Sequence, residues 1–327
     1  MTAGATPQME NVFSEEQARR ARRSNTVGLE LLRLVEERDD VVVLSADMGA
    51  AMSDLRQRHP DRYFELGIAE TNTVSVAAGM AACGLIPYVI SMGPFGAIKC
   101  AEQLRTDVAY THLPVRFLAR LSGLAMGFFG TSHHAVEDIA IARSITNLTV
   151  VAPCDERSTL ELIRSTVDHP GPVFLRVSEG VDALVYEDVP TIERGRFVTV
   201  RPGTDATVIA TGVGVGAALG AARILEALGI SVEVLDAAYL KPLDEAAILR
   251  AARATGAILT VEEHSVVGGL GAAVAEVIGR HGVPVRLRLH GLPDEDLEVA
   301  TPPILLERYG LTAPAVAEAL RRLLVEA

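Results

Sequence analysis

Tryptophan is absent from this chain of 327 residues, and phenylalanine and tyrosine number only 8 and 6. With so few aromatics, no basic stripe among them and a formal net charge of -12, the sequence lacks the electrostatic and stacking footprint of a nucleic-acid binder. Cysteine is scarce too. Cys83, Cys100 and Cys154 are odd in number and far apart among apolar neighbours, which excludes a disulfide framework or a zinc site and predicts three core thiols. No apolar run reaches the roughly 18 residues of a membrane helix. The stretch MTAGATPQMENVFSEEQARRARRSN lacks an apolar core of signal-peptide length, so a cytoplasmic location is expected. Low-complexity segments and short repeats are missing as well. What is present, 49% hydrophobic and 22% charged residues, is the balance of a well-buried globular protein of two-domain size.

Short β-branched runs alternate with helical stretches: VVVLSA (41–46), IPYVIS (86–91), VRFLARL (115–121), LTVVAP (148–153) and PVFLRV (172–177). Such spacing reads as β-α-β units around a parallel sheet. Between Ser178 and Asp205, acidic, Pro and Gly residues interrupt the pattern, which predicts a linker. The alternation then resumes with ATVIATG, SVEVLDA, GAILTVEE and VPVRLRL. The expected architecture is α/β, with two doubly wound domains, the second smaller. An N-terminal tail is expected over 1–19, the first domain over 20–190 and the second over 191–327.

The second unit opens with a tempting motif. Gly212, Gly214 and Ala217 fit the G-x-G-x-x-A form of a dinucleotide fingerprint, with Asp236 at the end of the next strand where a ribose-binding acid would sit. Any α/β unit, however, needs small residues where a strand turns into a helix, so the motif by itself favours architecture over a nucleotide site.

A more informative stretch is FELGIAETNTVSVAAGMAACG (64–84), where Glu70 precedes a run of small residues. An acid at a helix start interacts favourably with the macrodipole and needs no chemistry. Yet a helix built of small residues lets a cofactor or a second backbone approach closely. A carboxylate on that rim is expected to be desolvated, with its pKa raised, and able to share a proton with a ring nitrogen.

The segments DRYFELGIAETNTVSVAAGMA, GPFGAIKCAEQLRTDVAY, GTSHHAVEDIAIARSI and VVAPCDE closely resemble the pyrimidine-binding domain of transketolase-like thiamine diphosphate enzymes. YLKPLDEAAILRAARATGAILTVEEHSVVGGLGAAVAEVI resembles the C-terminal domain of the same family, so the resemblance covers nearly the whole chain from about Arg20. It implies that Glu70 hydrogen-bonds N1′ of the aminopyrimidine and favours the imino tautomer that deprotonates the thiazolium carbon. It also implies that His133 faces the substrate, with His134 as its neighbour and possible substitute, and that GVGVGAA opens a domain that binds no nucleotide.

The family's GDG motif, which with a later Asn holds magnesium and the diphosphate, occurs nowhere in the chain. The resemblance is therefore to the C-terminal subunit of a split transketolase. Mg2+ would be bound mainly by an N-terminal-type partner subunit, and an α2β2 heterotetramer would hold the cofactor between unlike chains. Three positions depart from the family pattern: Phe129 replaces an aspartate that binds a sugar hydroxyl, Leu121 a histidine, and Ala152 an arginine that helps to hold substrate phosphate. Losing polar partners there predicts a substrate less hydroxylated than the usual pentose phosphates, or not phosphorylated. Ile98 stands where an aromatic often faces the pyrimidine, with Phe95 the candidate replacement, and Asp47 resembles a family acid near the cofactor. Lys99, Glu102 and Arg105, at helical spacing, read as a solvated ion-pair face, and His264 as a structural residue shaping a turn. Two alternatives stand beside this reading: the beta subunit of a 2-oxo acid dehydrogenase, and a non-catalytic assembly subunit.

Overall fold

The computed structural model describes residues 26–179 and 184–325. The expected N-terminal tail, the first residues of the first domain, and part of the expected linker lie outside the described residues. In chain order the elements are α1 (Thr26–Glu37), β1 (Val41–Ser45), α2 (Ser53–Arg58), β2 (Tyr63–Glu65), α3 (Glu70–Ala82), β3 (Ile86–Met92), α4 (Ala101–Gln103), β4 (Arg116–Arg120), α5 (Asp138–Ser144), β5 (Thr149–Val151), α6 (Glu156–Ser165) and β6 (Val173–Val177). There follow β7 (Val198–Arg201), β8 (Ala206–Ala210), α7 (Gly214–Glu226), β9 (Val232–Asp236), β10 (Tyr239–Lys241), α8 (Glu245–Thr255), β11 (Ala257–Ser265), α9 (Leu270–His281), β12 (Arg286–Leu292), α10 (Pro302–Arg308) and α11 (Ala313–Val325).

The β-branched runs become strands buried on both faces, as parallel strands sandwiched by helices must be. A seven-stranded sheet has the order β10-β5-β6-β4-β3-β1-β2, and a five-stranded sheet the order β12-β11-β8-β9-β7. All neighbours run parallel except β10 on β5 and β7 on β9. Two elements depart from the sequence reading. Val198–Arg201, within the expected linker, is an edge strand paired with β9, because an edge needs hydrogen-bonding partners on only one side and tolerates a weak apolar pattern. Tyr239–Lys241 follows the second unit's β9 yet joins the first unit's sheet, pairing with Val150 and Val151.

The two units share apolar packing. One continuous cluster contains Ile139, Ala142 and Leu148 together with Leu235, Leu240, Ile248 and Ile258. A buried ionic cluster reinforces the junction. Arg176, on β6, donates from Nε to both Asp138 oxygens at 2.9 and 3.0 Å, and from Nη2 to the Glu263 carbonyl at 2.8 Å. The Glu263 carboxylate, on β11, accepts from the Leu124 N–H at 3.0 Å and the Ser178 hydroxyl at 3.0 Å. A Cβ at Gly123 would lie 2.0 Å from that carboxylate, and the residue has φ +67°, so glycine is required there. Of the cysteines, Cys100 and Cys154 are buried but Cys83 is exposed, a correction to the core-thiol expectation. Cys83 caps α3 beyond Ala81, the helix's last buried residue, where the chain has already left the core. Among the described residues no helix is long and apolar enough to cross a membrane.

Candidate active site

In a doubly wound sheet the crevice opens at the carboxyl ends of the strands, where the strand order reverses. Here β1 is followed outward by β2 and then by β3 on its other side, so the reversal lies between β1 and β3. The turns after these strands carry the candidate residues: Asp47 after β1, Glu70 after β2, Phe95 after β3 and Leu121 after β4.

Asp47 is exposed and adopts φ +58°, held in that turn by its N–H, which donates to Glu65 Oε1 at 2.9 Å. The same oxygen accepts from the Gly67 N–H at 3.0 Å, while Tyr63 donates its hydroxyl to Oε2 at 2.8 Å. Burial raises the Glu65 pKa, but hydrogen bonds from Asp47, Tyr63, Ser45 and Gly67 outweigh it, and the carboxyl lies below its ordinary value. Glu65 thus ties the β1 and β2 turns together. Its position as the last residue of a strand was the signal available, and the sequence reading passed over it.

Glu70 opens α3 and is 4% exposed. Helix α3 is rich in alanine, a strong helix former, and buries Thr73, Val74, Ala77, Ala78 and Ala81. Asn72, Ser75, Gly79 and Ala82 lie exposed on its other side, so the small-residue character extends to an open face. Glu70 Oε2 accepts from Lys99 Nζ at 2.8 Å, and among the described residues Oε1 has no hydrogen-bond partner. The expected Lys99–Glu102–Arg105 face is therefore split. Arg105 pairs with Glu102 at 2.8 Å in solvent, whereas Lys99 turns to Glu70. The cause is local: Phe95–Lys99 and Leu104–Ala109 are π-helical turns on either side of α4, and the wider turn breaks the 3.6-residue phase on which the sequence reading relied.

Lys99 Nζ also lies 5.0 Å from the Phe95 ring centroid, a cation–π distance. Phe95 meets the His133 ring edge-on at 5.4 Å, and His133 packs against Phe129 at 4.7 Å, with Phe128 beside Phe129 at 4.8 Å. A connected row thus runs from Glu70 through Lys99, Phe95 and His133 to two exposed phenylalanines. Ser132 Oγ engages His133 Nδ1 at 2.9 Å, leaving Nε2 without a partner among the described residues.

Other predicted residues fall differently. His134 is buried, with Nε2 3.3 Å from the Gly127 carbonyl, so it does not share the open position of His133. Leu121, at φ +52°, is partly buried at the end of β4, and Ile98 is exposed on the π turn. Ala152 is fully buried, its N–H donating to the Ala238 carbonyl at 2.8 Å. Asp236, the candidate ribose acid, is sealed in the core, accepting from Tyr186 at 2.7 Å and Cys154 at 3.3 Å. Burial pushes its pKa up to about 7 against those two hydrogen bonds, and no ribose could reach it. His264 is fully buried, its Nδ1 2.7 Å from the Ser265 carbonyl and its Nε2 accepting from the Ala140 N–H at 3.3 Å. Among the described residues no group of three or more His, Cys, Asp or Glu is gathered to hold a metal ion.

Residues 22–181 match the family description "Transketolase, pyrimidine binding domain", and residues 195–316 match "Transketolase, C-terminal domain". One of the subunits of the apulose-4-phosphate transketolase of Phocaeicola vulgatus is 38% identical over 86% of this chain and 90% of its own length. The 1-deoxy-D-xylulose-5-phosphate synthase of Heliobacterium modesticaldum is 38% identical over 90% of this chain, which spans only 46% of that protein's length. A solved structure described as a split gene transketolase, inactive beta4 tetramer, superposes with a TM-score of 0.85 at 38% identity, covering 92% of this chain and 97% of the other. With both domains matched in order and a transketolase subunit aligned over most of its length, the chain belongs to the transketolase family.

Proposed function

We propose that this chain is the C-terminal subunit of a two-chain, thiamine-diphosphate-dependent transketolase of the cytoplasm, which transfers a two-carbon ketol unit from a ketose-type donor to an aldehyde acceptor. The observation that carries the reading is the buried Glu70 carboxylate, whose Oε1 has no partner among the described residues and whose contact with Lys99 links it to the Phe95 ring, at the strand-order reversal. These residues fit the pyrimidine half of thiamine diphosphate: an acid for a ring nitrogen and an aromatic face for the ring. Among the described residues no donor set supplies the magnesium-diphosphate half, which we assign to an N-terminal-type partner in an α2β2 assembly. The Phocaeicola vulgatus relative, itself one subunit of a transketolase, and the inactive beta4 tetramer support the need for such a partner.

Bound thiamine diphosphate supplies the carbon nucleophile and the electron sink for carbon–carbon bond cleavage. This chain supplies the rest. Glu70 would present Oε1 to the ring nitrogen for proton exchange. Phe95 fixes the ring plane and narrows the crevice against water. His133, oriented by Ser132, exchanges a proton through Nε2 with a substrate hydroxyl. Phe128 and Phe129 form an apolar wall that leaves hydroxyls without partners, so the substrate presents fewer of them there than a pentose phosphate does.

The deciding experiment is Glu70→Ala in the complex reconstituted with the diphosphate-binding chain. Turnover is expected to fall at least about a hundredfold, the scale of a lost proton-transfer group, with assembly intact. Unchanged turnover would make this chain a scaffold.

A further inference from the structure

Glu70 and Lys99 are unequal partners. The carboxylate is 4% exposed, whereas the Lys99 side chain is 48% exposed and touches Glu70 through its ammonium at one oxygen only. A buried carboxylate without a counter-charge is costly, and among the described residues Lys99 is the one cation bonded to it. The role proposed above asks something different of Glu70: to share a proton with a ring nitrogen. An ammonium on the same carboxylate competes with the ring nitrogen for it. The two demands conflict, and the geometry offers a resolution, because Lys99 reaches Glu70 from a half-exposed, long and flexible stem that can turn into solvent.

We propose that Lys99 is an exchangeable counter-ion: it neutralises Glu70 until an aminopyrimidine ring enters the crevice and then gives up the carboxylate, its ammonium turning into solvent. The inference rests on the proposed role of Glu70. Its consequence is that Lys99 supports the free subunit and competes with the cofactor. It is a positioning residue, acting through Glu70.

The test is calorimetric titration of thiamine diphosphate with Mg2+ into the reconstituted complex, alongside thermal melting of the free subunit. Lys99→Met is expected to bind the cofactor about fivefold more tightly, the scale of a partly exposed ion pair, while the free subunit melts at a lower temperature. Lys99→Gln serves if the Met variant does not fold, and Lys99→Arg, which keeps the charge, should match the wild type in both readouts. Weaker or unchanged cofactor binding on removing the charge would overturn the proposal. In a Glu70→Gln background the competition disappears, so adding Lys99→Met should leave affinity unchanged; a persisting tightening would also overturn it. Failure of the underlying reading shows separately: Glu70→Gln would then retain the wild-type cofactor affinity and the near-ultraviolet circular-dichroism band of the imino tautomer.

Discussion

Two regions of this molecule are dense in ionisable groups, and they are built on opposite terms. At the junction, Arg176, Asp138, Glu263 and His264 are buried, and hydrogen bonds meet Arg176 and Glu263 from several elements. In the crevice, Glu70 is buried but leaves Oε1 unengaged, Lys99 is half-exposed, and His133 has a free Nε2 among the described residues. A satisfied polar network holds two units together; an incompletely satisfied one has capacity left for a ligand.

The comparison can be broken first at the junction. Asp138→Ala strips Arg176 of its bidentate partner, and breaking a buried pair costs about 3–5 kcal/mol. Chemical denaturation should register that loss, and a loss below about 1 kcal/mol would show that the cluster does not hold the units. In the crevice the expectation is reversed. His133→Ala should lower kcat by about a hundredfold while the denaturation midpoint stays near the wild-type value. A large stability loss with normal kcat would return His133 to a packing role.

A smaller effect concerns pH. The Asp236 carboxyl, buried against Tyr186 and Cys154, sits at about 7 in the fold against an ordinary 3.8. Between about pH 4 and pH 7 the folded protein keeps a proton that the unfolded chain gives up, so stability falls as pH rises through that window and levels off above it. Glu262, pushed up to about 7 by burial against the Gly271 and Leu270 amides, acts in the same direction. Asp236→Asn should make the fall shallower in thermal melts taken across the window; a slope identical to wild type would contradict this account. Smallest of all, Arg105→Ala removes the exposed partner of Glu102 and should change stability by less than about 1 kcal/mol. A larger loss would mean that the outward face of that helix is covered in the assembled protein.

Much of this was legible in the residues. The β-branched runs became the buried parallel strands because such a run has few other ways to bury both faces. The segments around Glu70, Phe95 and His133 carry the resemblance, and the fold connects the three through Lys99 and the Phe95 ring. Lys99 was not readable. Its partner lies 29 positions away in sequence, and the π turn that aims it leaves no simple trace in apolar periodicity. The strand Val198–Arg201 was hidden for a related reason, since a short edge strand carries a weak pattern.

The sequence by itself therefore determined the two α/β units, their order and the acid on which the functional reading turns, because periodicity and local propensity act within a few residues. Tertiary structure alone decided that β10 joins the other unit's sheet, that Asp236 and Ala152 are sealed away, that His133 and not His134 is open, and that Lys99 meets Glu70. These outcomes depend on which surfaces pack together and on the phase of one irregular helix. Such quantities are fixed by the sum of distant contacts, and no window of sequence contains them.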